Sequence, residues 1–211
     1  MKKLLTILLA TICLFALCAC STGTNPDSNP TGANPIKVGV VQTTQHPALD
    51  AATQGFVDAL KENGITDIDI QNASGESTNC STIVGNFVAD GVDLIMANAT
   101  PALQAASAAT DTIPVLGTSI TVYDVVLGGS VPKNVSGTTD LAPLDEQASM
   151  IKELFPDAKK VGILFCSAEA NSQYQVDKIS KFLDEDGIET VNYVFNDSND
   201  ITAVTEKAVN D

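Results

Sequence analysis

The chain of 211 residues carries a formal net charge of −15 at pH 7, and its eleven basic residues are all Lys. Nucleic-acid binding needs a basic surface, and phosphate recognition favours the forked guanidinium group of Arg, so the composition argues against both functions. His46 is the one His in the sequence. A His-based metal cluster is therefore excluded, and a catalytic triad would have to include His46 itself.

Residues 1–20 have the order of an export signal. Lys2 and Lys3 precede an apolar run over residues 4–17, which at about 14 residues is shorter than the roughly 20 that a membrane-spanning helix needs. The sequence Leu-Cys-Ala-Cys at residues 17–20 resembles a bacterial lipobox. This resemblance implies that Cys20 becomes the mature N-terminus and carries a lipid such as palmitate. The alternative is an ordinary signal peptide with a small-residue cleavage site.

Residues 21–35 are mostly Ser, Thr, Gly, Asn and Pro and include no large apolar side chain. Such a segment cannot bury enough surface to offset its ordering entropy, so we predict a flexible tether. Lipid, tether and folded domain in this order predict a protein anchored at the extracytoplasmic face of the cell membrane that works in water. Without residues 1–20 the chain keeps 9 Lys against 26 acidic residues, a formal charge of −17 that indicates solubility.

From residue 36 onward the hydrophobic pattern alternates between strands and helices. The predicted strands lie at residues 36–41, 68–70, 92–96 and 113–116, and the predicted helices at residues 48–63, 80–90 and 101–109. Alternation of this kind indicates βαβ units and a parallel sheet that is covered on both faces.

The pattern then repeats at an offset of 123 residues. Residues 160–164 match residues 37–41, and Gly187 matches Gly64. We therefore predict an α/β protein of two similar, doubly wound lobes with parallel sheets. Residues 36–140 form the first ligand-binding lobe and residues 141–211 the second, with a crossover near residues 137–143.

The repeat also predicts that the second lobe is incomplete. Residues 88–90 lead into the third strand of the first lobe, whereas residues 209–211 stand in the same place where the sequence ends. Two strands with their helices leave parallel edges uncovered, which is unusual for a parallel sheet. We expect the natural gene to continue for about a third of its length.

Eight short segments stand out in order along the chain from residue 36 to residue 211: residues 46–50, 55–56, 91–95, 99–102, 113–115, 134–138, 160–163 and 169–172. Together they resemble one family of ABC-importer solute-binding lipoproteins that includes tryptophan- and tyrosine-binding members. One departure is Asp124-Val125, where the family usually has Asp-Pro. The resemblance implies a type I periplasmic-binding-protein fold that clamps a small solute between its lobes, with ABC permease subunits as partners and no cofactor.

Ligands of open α/β sheets bind beyond the carboxyl ends of the strands. Four segments are predicted there: residues 42–47, 98–101, 117–124 and 167–172. The candidate ligand-binding residues in these segments are Gln42, Thr43, His46, Ala99, Thr100, Asp124, Glu169, Asn171 and Ser172.

Thr100 and Pro101 open a predicted helix, whose free N–H groups with the Thr100 hydroxyl suit a carboxylate. Thr100 alternatively only caps that helix. Asn171 and Ser172 present neutral polar groups to the opposite wall, or else cap the next helix.

The acidic candidates suit a ligand ammonium. Asp124 lies in an apolar loop at residues 122–126, where Tyr123 could offer an aromatic face. Glu169 pairs with an ammonium or is a solvated loop acid, and the helix dipole alone explains Asp50. His46 is interpreted as a positioning donor or a capping residue, while Gln42 and Thr43 can hydrogen-bond the ligand.

The sequence favours a transport binding protein for a small zwitterionic or amide-bearing solute, such as an aromatic amino acid. An enzyme with the same cleft is the rival class, but no Gly-x-Ser-x-Gly motif and no glycine-rich phosphate loop are present. A ligand sensor that feeds a signalling protein is the third class of function. Cys80 and Cys166 do not make a disulfide framework, and the pattern predicts that Cys166 is a buried, inert thiol.

Overall fold

The computed structural model describes residues 35–196 and 199–211. The predicted signal peptide, the lipidation site at Cys20 and nearly all of the tether therefore lie outside the described residues. Within the described ranges, no helix is both long and apolar enough to cross a membrane.

Strands and helices alternate along the described chain, as the sequence predicts. The strands are β1 (Lys37–Gln42), β2 (Asp67–Asn72), β3 (Leu94–Asn98), β4 (Val115–Ile120), β5 (Val135–Thr139), β6 (Lys160–Cys166) and β7 (Glu189–Phe195). The helices are α1 (Pro47–Glu62), α2 (Ser77–Ala89), α3 (Thr100–Ala109), α4 (Tyr123–Val126), α5 (Leu144–Leu154), α6 (Ala170–Glu185) and α7 (Ile201–Asn210).

Two parallel sheets form the framework. The first has the order β2-β1-β3-β4-β5, and the second pairs β6 with β7. The prediction of an α/β fold with parallel sheets in two lobes is confirmed. The boundaries at residues 140 and 141 stay predictions.

The first sheet is covered on both faces because its central strands alternate their side chains. Val38 and Val40 of β1 pack with Met96 of β3 against Phe56 and Leu60 of α1. On the other face, the core comprises Val41, Ile95 and Ala97 of the strands with Val84 and Phe87 of α2 and Leu103 of α3. This sandwich fixes where each strand ends, and hence where the loops of the cleft begin.

The internal repeat is visible in the elements. Both α1 and α6 have 16 residues, and they begin at Pro47 and Ala170, which are 123 positions apart. Leu183 of α6 packs with Ala148 of α5 and with Ile188 in a small core of the second lobe.

The structure corrects the prediction for residues 122–126. These residues include the one-turn helix α4 rather than only a loop. Local periodicity cannot reveal four helical residues, because one turn is shorter than any repeating apolar pattern. Cys166 also differs from the prediction, since it is half-buried and its thiol contacts the Asn196 carbonyl at 3.5 Å, whereas Cys80 is the fully buried one.

Gly39 marks a close approach between β1 and α2. A methyl group at this position would lie 2.6 Å from Cδ2 of Phe87, whereas one at Gly55, in the middle of α1, would meet nothing within 4 Å. We therefore expect Gly39→Ala to lower the free energy of unfolding by about 1–3 kcal/mol through overpacking. Gly55→Ala, the matched control, should raise it by about 0.5–1 kcal/mol, because glycine is a poor helix former. Urea denaturation measures both, and equal effects of the two substitutions would contradict the packing described.

Candidate functional site

A cavity of about 280 Å³ lies between the two lobes at the carboxyl ends of the strands. We call it the interlobe cleft. It is lined by Thr43, Leu49, Ala99, Thr100, Pro101, Ser119, Thr121, Asp140, Glu169, Asn171 and Gln175. Its volume is near the lower limit of small-molecule sites, which span about 300–1,000 Å³.

A larger cavity of about 680 Å³ lies elsewhere in the second lobe. Its lining includes Leu154 and Phe155 at the end of α5 and Lys160 at the start of β6. That is the amino end of the strand, opposite to the edge at which α/β sheets bind ligands. We therefore take the smaller interlobe cleft as the candidate site.

Thr43 holds together the floor of the cleft. Its hydroxyl donates to the carbonyl oxygen of Asn98 at 3.1 Å and accepts from the backbone N–H of Ala102 at 3.3 Å. The same hydroxyl lies against the buried Cys80, and burial raises the pKa of that thiol. One side chain after β1 thus fixes both the end of β3 and the first turn of α3.

The wall of the cleft contains two strained residues. Ala99 has φ 79° and ψ 164°, and Ser119 has φ 57°, values that L side chains rarely adopt. Ala99 directly follows β3 and Ser119 lies on the neighbouring strand β4, and the Ala99 N–H donates to the carbonyl oxygen of Thr118 at 3.0 Å. Each such residue costs about 1–3 kcal/mol, and such strain concentrates at functional sites.

Two helices begin at the cleft, one from each lobe. α3 begins at Thr100, whose buried side chain makes no hydrogen bond to any described residue. α6 begins at Ala170, and the side-chain oxygen of Asn171 is buried without a hydrogen-bond partner in the described ranges. In α3, Pro101 has no N–H and the Ala102 N–H is bound to Thr43, so the Thr100 backbone N–H is the donor left in the first turn. This donor, the first N–H groups of α6 and the two helix dipoles make each N-terminus attractive to an anion.

Two carboxylates border the same cavity. Asp140 follows β5, and its N–H donates to the carbonyl oxygen of Ile120 at 3.0 Å. Glu169 precedes α6 and accepts a hydrogen bond from the Ser172 hydroxyl at 3.2 Å. Burial raises the pKa of the nearby Tyr123 hydroxyl, and the Asp140 carboxylate raises it further. The cleft therefore combines anion-binding and cation-binding groups.

Five of the nine predicted ligand-binding residues line the cleft, namely Thr43, Ala99, Thr100, Glu169 and Asn171. Four are not among the lining residues. The Gln42 side chain donates to the Asp50 carboxylate at 2.6 Å and accepts from the Thr53 hydroxyl at 2.6 Å. Nδ1 of His46 accepts from the N–H of Ala48 at 3.2 Å, which is the capping role.

Asp124 and Ser172 are the other two predicted ligand-binding residues that do not line the cleft. The Asp124 side chain is exposed, and one of its oxygens accepts from the N–H of Val125 at 2.9 Å. The Ser172 hydroxyl donates a hydrogen bond to the Glu169 carboxylate. A ligand contact by any of the nine predicted residues stays a prediction.

The sequence reasoning missed Asp140 and Gln175. Asp140 ends a polar stretch that has no apolar periodicity, although the resemblance already included residues 134–138. Gln175 is four positions after Asn171 in α6, and its side chain donates to the carbonyl oxygen of Asn171 at 3.3 Å. Helical spacing from Asn171 was the signal that could have found it.

Comparison with known proteins identifies several similar chains. A tyrosine-binding protein of Clostridioides difficile (strain R20291) is 32% identical over 225 aligned residues, which cover 99% of this chain and 65% of that protein. A Streptococcus pneumonia ABC domain solved in complex with L-Trp is 34% identical with a TM-score of 0.75. The match covers 80% of this chain and 60% of that one.

A ligand-free, open substrate-binding protein of Clostridium difficile, described as having adhesive properties, is 36% identical with a TM-score of 0.58. Here the match covers 82% of this chain and 61% of that chain. The chain thus spans less than two thirds of the length of these relatives. The solved neighbours have the type I periplasmic-binding-protein fold, which confirms the predicted fold class. A family model described as ABC transporter substrate binding protein matches residues 37–211, and this chain belongs to that family.

Proposed function

We propose that this chain is the extracytoplasmic receptor of an ABC importer and that it captures one free α-amino acid in the interlobe cleft. The observation that carries the proposal is the charge pattern of the cleft. Two helix N-termini and two carboxylates border one small cavity. An α-amino acid carries one carboxylate and one ammonium group on the same carbon, and this pattern is complementary to both.

The ligand carboxylate is assigned to the N-termini of α3 and α6. No Lys is among the residues that the structure describes as lining the cleft. Each helix N-terminus contributes about half a positive charge, and the unengaged Thr100 hydroxyl adds a donor. Neutral donors of this kind hold a carboxylate without the cost of desolvating a fixed cation.

The ligand ammonium is assigned to Asp140, with Glu169 as a second acidic neighbour. Asp140 borders the cavity, whereas Asp124, favoured from the sequence, is not among the lining residues and accepts a hydrogen bond from the N–H of Val125 in its own helix. The unpartnered side-chain oxygen of Asn171, on α6 of the second lobe, is a further acceptor that lines the same cavity. A charged carboxylate supplies the stronger hydrogen bond, which contributes about 1.5–3 kcal/mol.

The side chain of the ligand is proposed to be aromatic. The relatives described above include a tyrosine-binding protein and a protein solved with L-Trp. Leu49 and Pro101 give the cleft of this chain two aliphatic surfaces on which a ring can pack. L-tyrosine and L-tryptophan are therefore the first ligands to test.

The proposed route to the membrane rests on the N-terminal sequence. Residues 1–20 act as a lipoprotein signal peptide, Cys20 carries the lipid and residues 21–35 tether the lobes. Permease subunits in the same membrane then receive the solute.

Asp140→Asn tests the proposed binding mode. The substitution keeps the shape of the side chain and one acceptor oxygen but removes its charge. Because a charge-assisted hydrogen bond is roughly twice as strong as a neutral one, we expect binding of L-tyrosine or L-tryptophan to weaken about 3- to 10-fold. Asp58→Asn is the matched control, because Asp58 is an exposed residue of α1 outside the cleft lining, and its binding should equal that of the parent. Isothermal titration calorimetry measures both. Unchanged affinity in Asp140→Asn would remove the assigned ammonium site, and a parent that binds no free amino acid would overturn the proposed function.

Lipid attachment is tested by labelled palmitate in a bacterial host. We expect Cys20→Ala to abolish incorporation of label, because the acylated position of the box is lost. Cys18→Ala changes a cysteine two positions earlier in the same box and should retain the label. Equal labelling of the parent and of Cys20→Ala would show that Cys20 is not the acylated residue.

A further inference from the structure

The short helix α4 contacts both lobes. It belongs to the first lobe, where Val126 is buried and Tyr123 packs against the core of the first sheet. It also contacts α6 of the second lobe. Since Asn171 and Gln175 of α6 line the cleft, the position of α4 bears on the position of that wall.

The Tyr123 hydroxyl occupies a slot between two facing glycines. Gly117 of β4 and Gly137 of β5 are paired across the parallel ladder, and regular pairing resumes only at Ile120 and Thr139. The Tyr123 hydroxyl donates to the carbonyl oxygen of Gly117 at 2.9 Å. The carbonyl oxygen of Thr138, at 3.2 Å, is a second acceptor for the same hydroxyl. A methyl group on Gly117 would lie 2.5 Å from the Tyr123 hydroxyl oxygen, and a methyl group on Gly137 would lie closer still to it. Only glycine at both positions leaves room for the hydroxyl.

The other end of α4 is held by α3. The side-chain amide of Gln104 donates to the carbonyl oxygen of Val126 at 2.8 Å. Four helical residues are too few to be stable alone, because nucleation costs more than one turn returns. The placement of α4 therefore depends on these two ties and on the burial of Val126.

We propose that Tyr123 is a positioning residue of the interlobe cleft: by anchoring α4 in the glycine slot, it sets where α6 stands against the first lobe. The effect of this anchoring on ligand affinity rests on the proposed function. The effect on the order of α6 is independent of the proposed function, because the contact between α4 and α6 exists without ligand.

Hydrogen–deuterium exchange of the full chain tests this inference without ligand. Tyr123→Phe keeps the ring but removes the hydroxyl, and one neutral hydrogen bond corresponds to about a 2- to 10-fold change in an opening equilibrium. We expect amides of residues 123–129 and of residues 170–175 to exchange faster by about this factor. Tyr193→Phe is the matched control, because its hydroxyl contacts Asp211 at 3.3 Å, and it should leave both segments unchanged.

A purely local role for Tyr123 would accelerate exchange in residues 123–129 alone, and this result would overturn the proposal, as would no acceleration at all. If Tyr123→Phe fails to fold, Gln104→Met takes its place. This substitution removes the hydrogen bond from Gln104 to Val126 while Tyr123 stays in the glycine slot, and it should accelerate hydrogen exchange in the same two segments. With L-tryptophan and L-tyrosine as probes, we also expect Tyr123→Phe to bind about 2- to 10-fold more weakly. If the parent binds neither probe, the proposed function fails, whereas the exchange of residues 170–175 still decides the role of Tyr123.

Discussion

Parallel strand pairing is the constraint on which the rest of this molecule depends. Because all strands of a parallel sheet end at one edge, the helices that follow them begin at that edge. β3 is followed by α3, and β6 of the second lobe is followed by α6, so both helices begin at the interlobe cleft. The proposed anion-binding end of the site is thus a product of chain topology. The proposed cation-binding end needs only two acidic side chains, Asp140 and Glu169, at the same edge.

Unfavourable backbone and an unsatisfied polar group occur at the cleft and beside it, as they also do at Ser74 and Ser180 elsewhere among the described residues. Ala99 and Ser119 have positive φ values, and the buried side-chain oxygen of Asn98 lacks a partner in the described part of the chain. The amide of Asn98 nevertheless donates to the Leu49 carbonyl at 2.8 Å and to the Thr53 hydroxyl at 3.0 Å, which holds α1 beside the cleft. The apolar core beneath the first sheet stabilises this arrangement. Stability and site geometry are therefore supplied by different layers of one lobe.

The sequence predicted those parts of the protein that local periodicity encodes. Alternating strands and helices, the 123-residue repeat and the helix start at Thr100 are all recorded in apolar spacing and capping residues. Asp140 was missed because it follows β5, an edge strand whose residues after Val135 are exposed and give no apolar pattern. The apolar neighbours of Asp124 predict a loop at the cleft. The packing of Tyr123 into a slot formed by two distant glycines turns that segment into α4, and no local pattern records such a contact.

We propose that the interlobe cleft is complementary to the zwitterionic head of an amino acid. The most direct measurement is mass spectrometry of the small molecule that co-purifies with the full-length protein and is released by denaturation. We predict a free α-amino acid with an aromatic side chain, with L-tyrosine and L-tryptophan as the expected masses. A released molecule that lacks either the amine or the carboxylate would contradict the assignment of Asp140 and of the two helix N-termini.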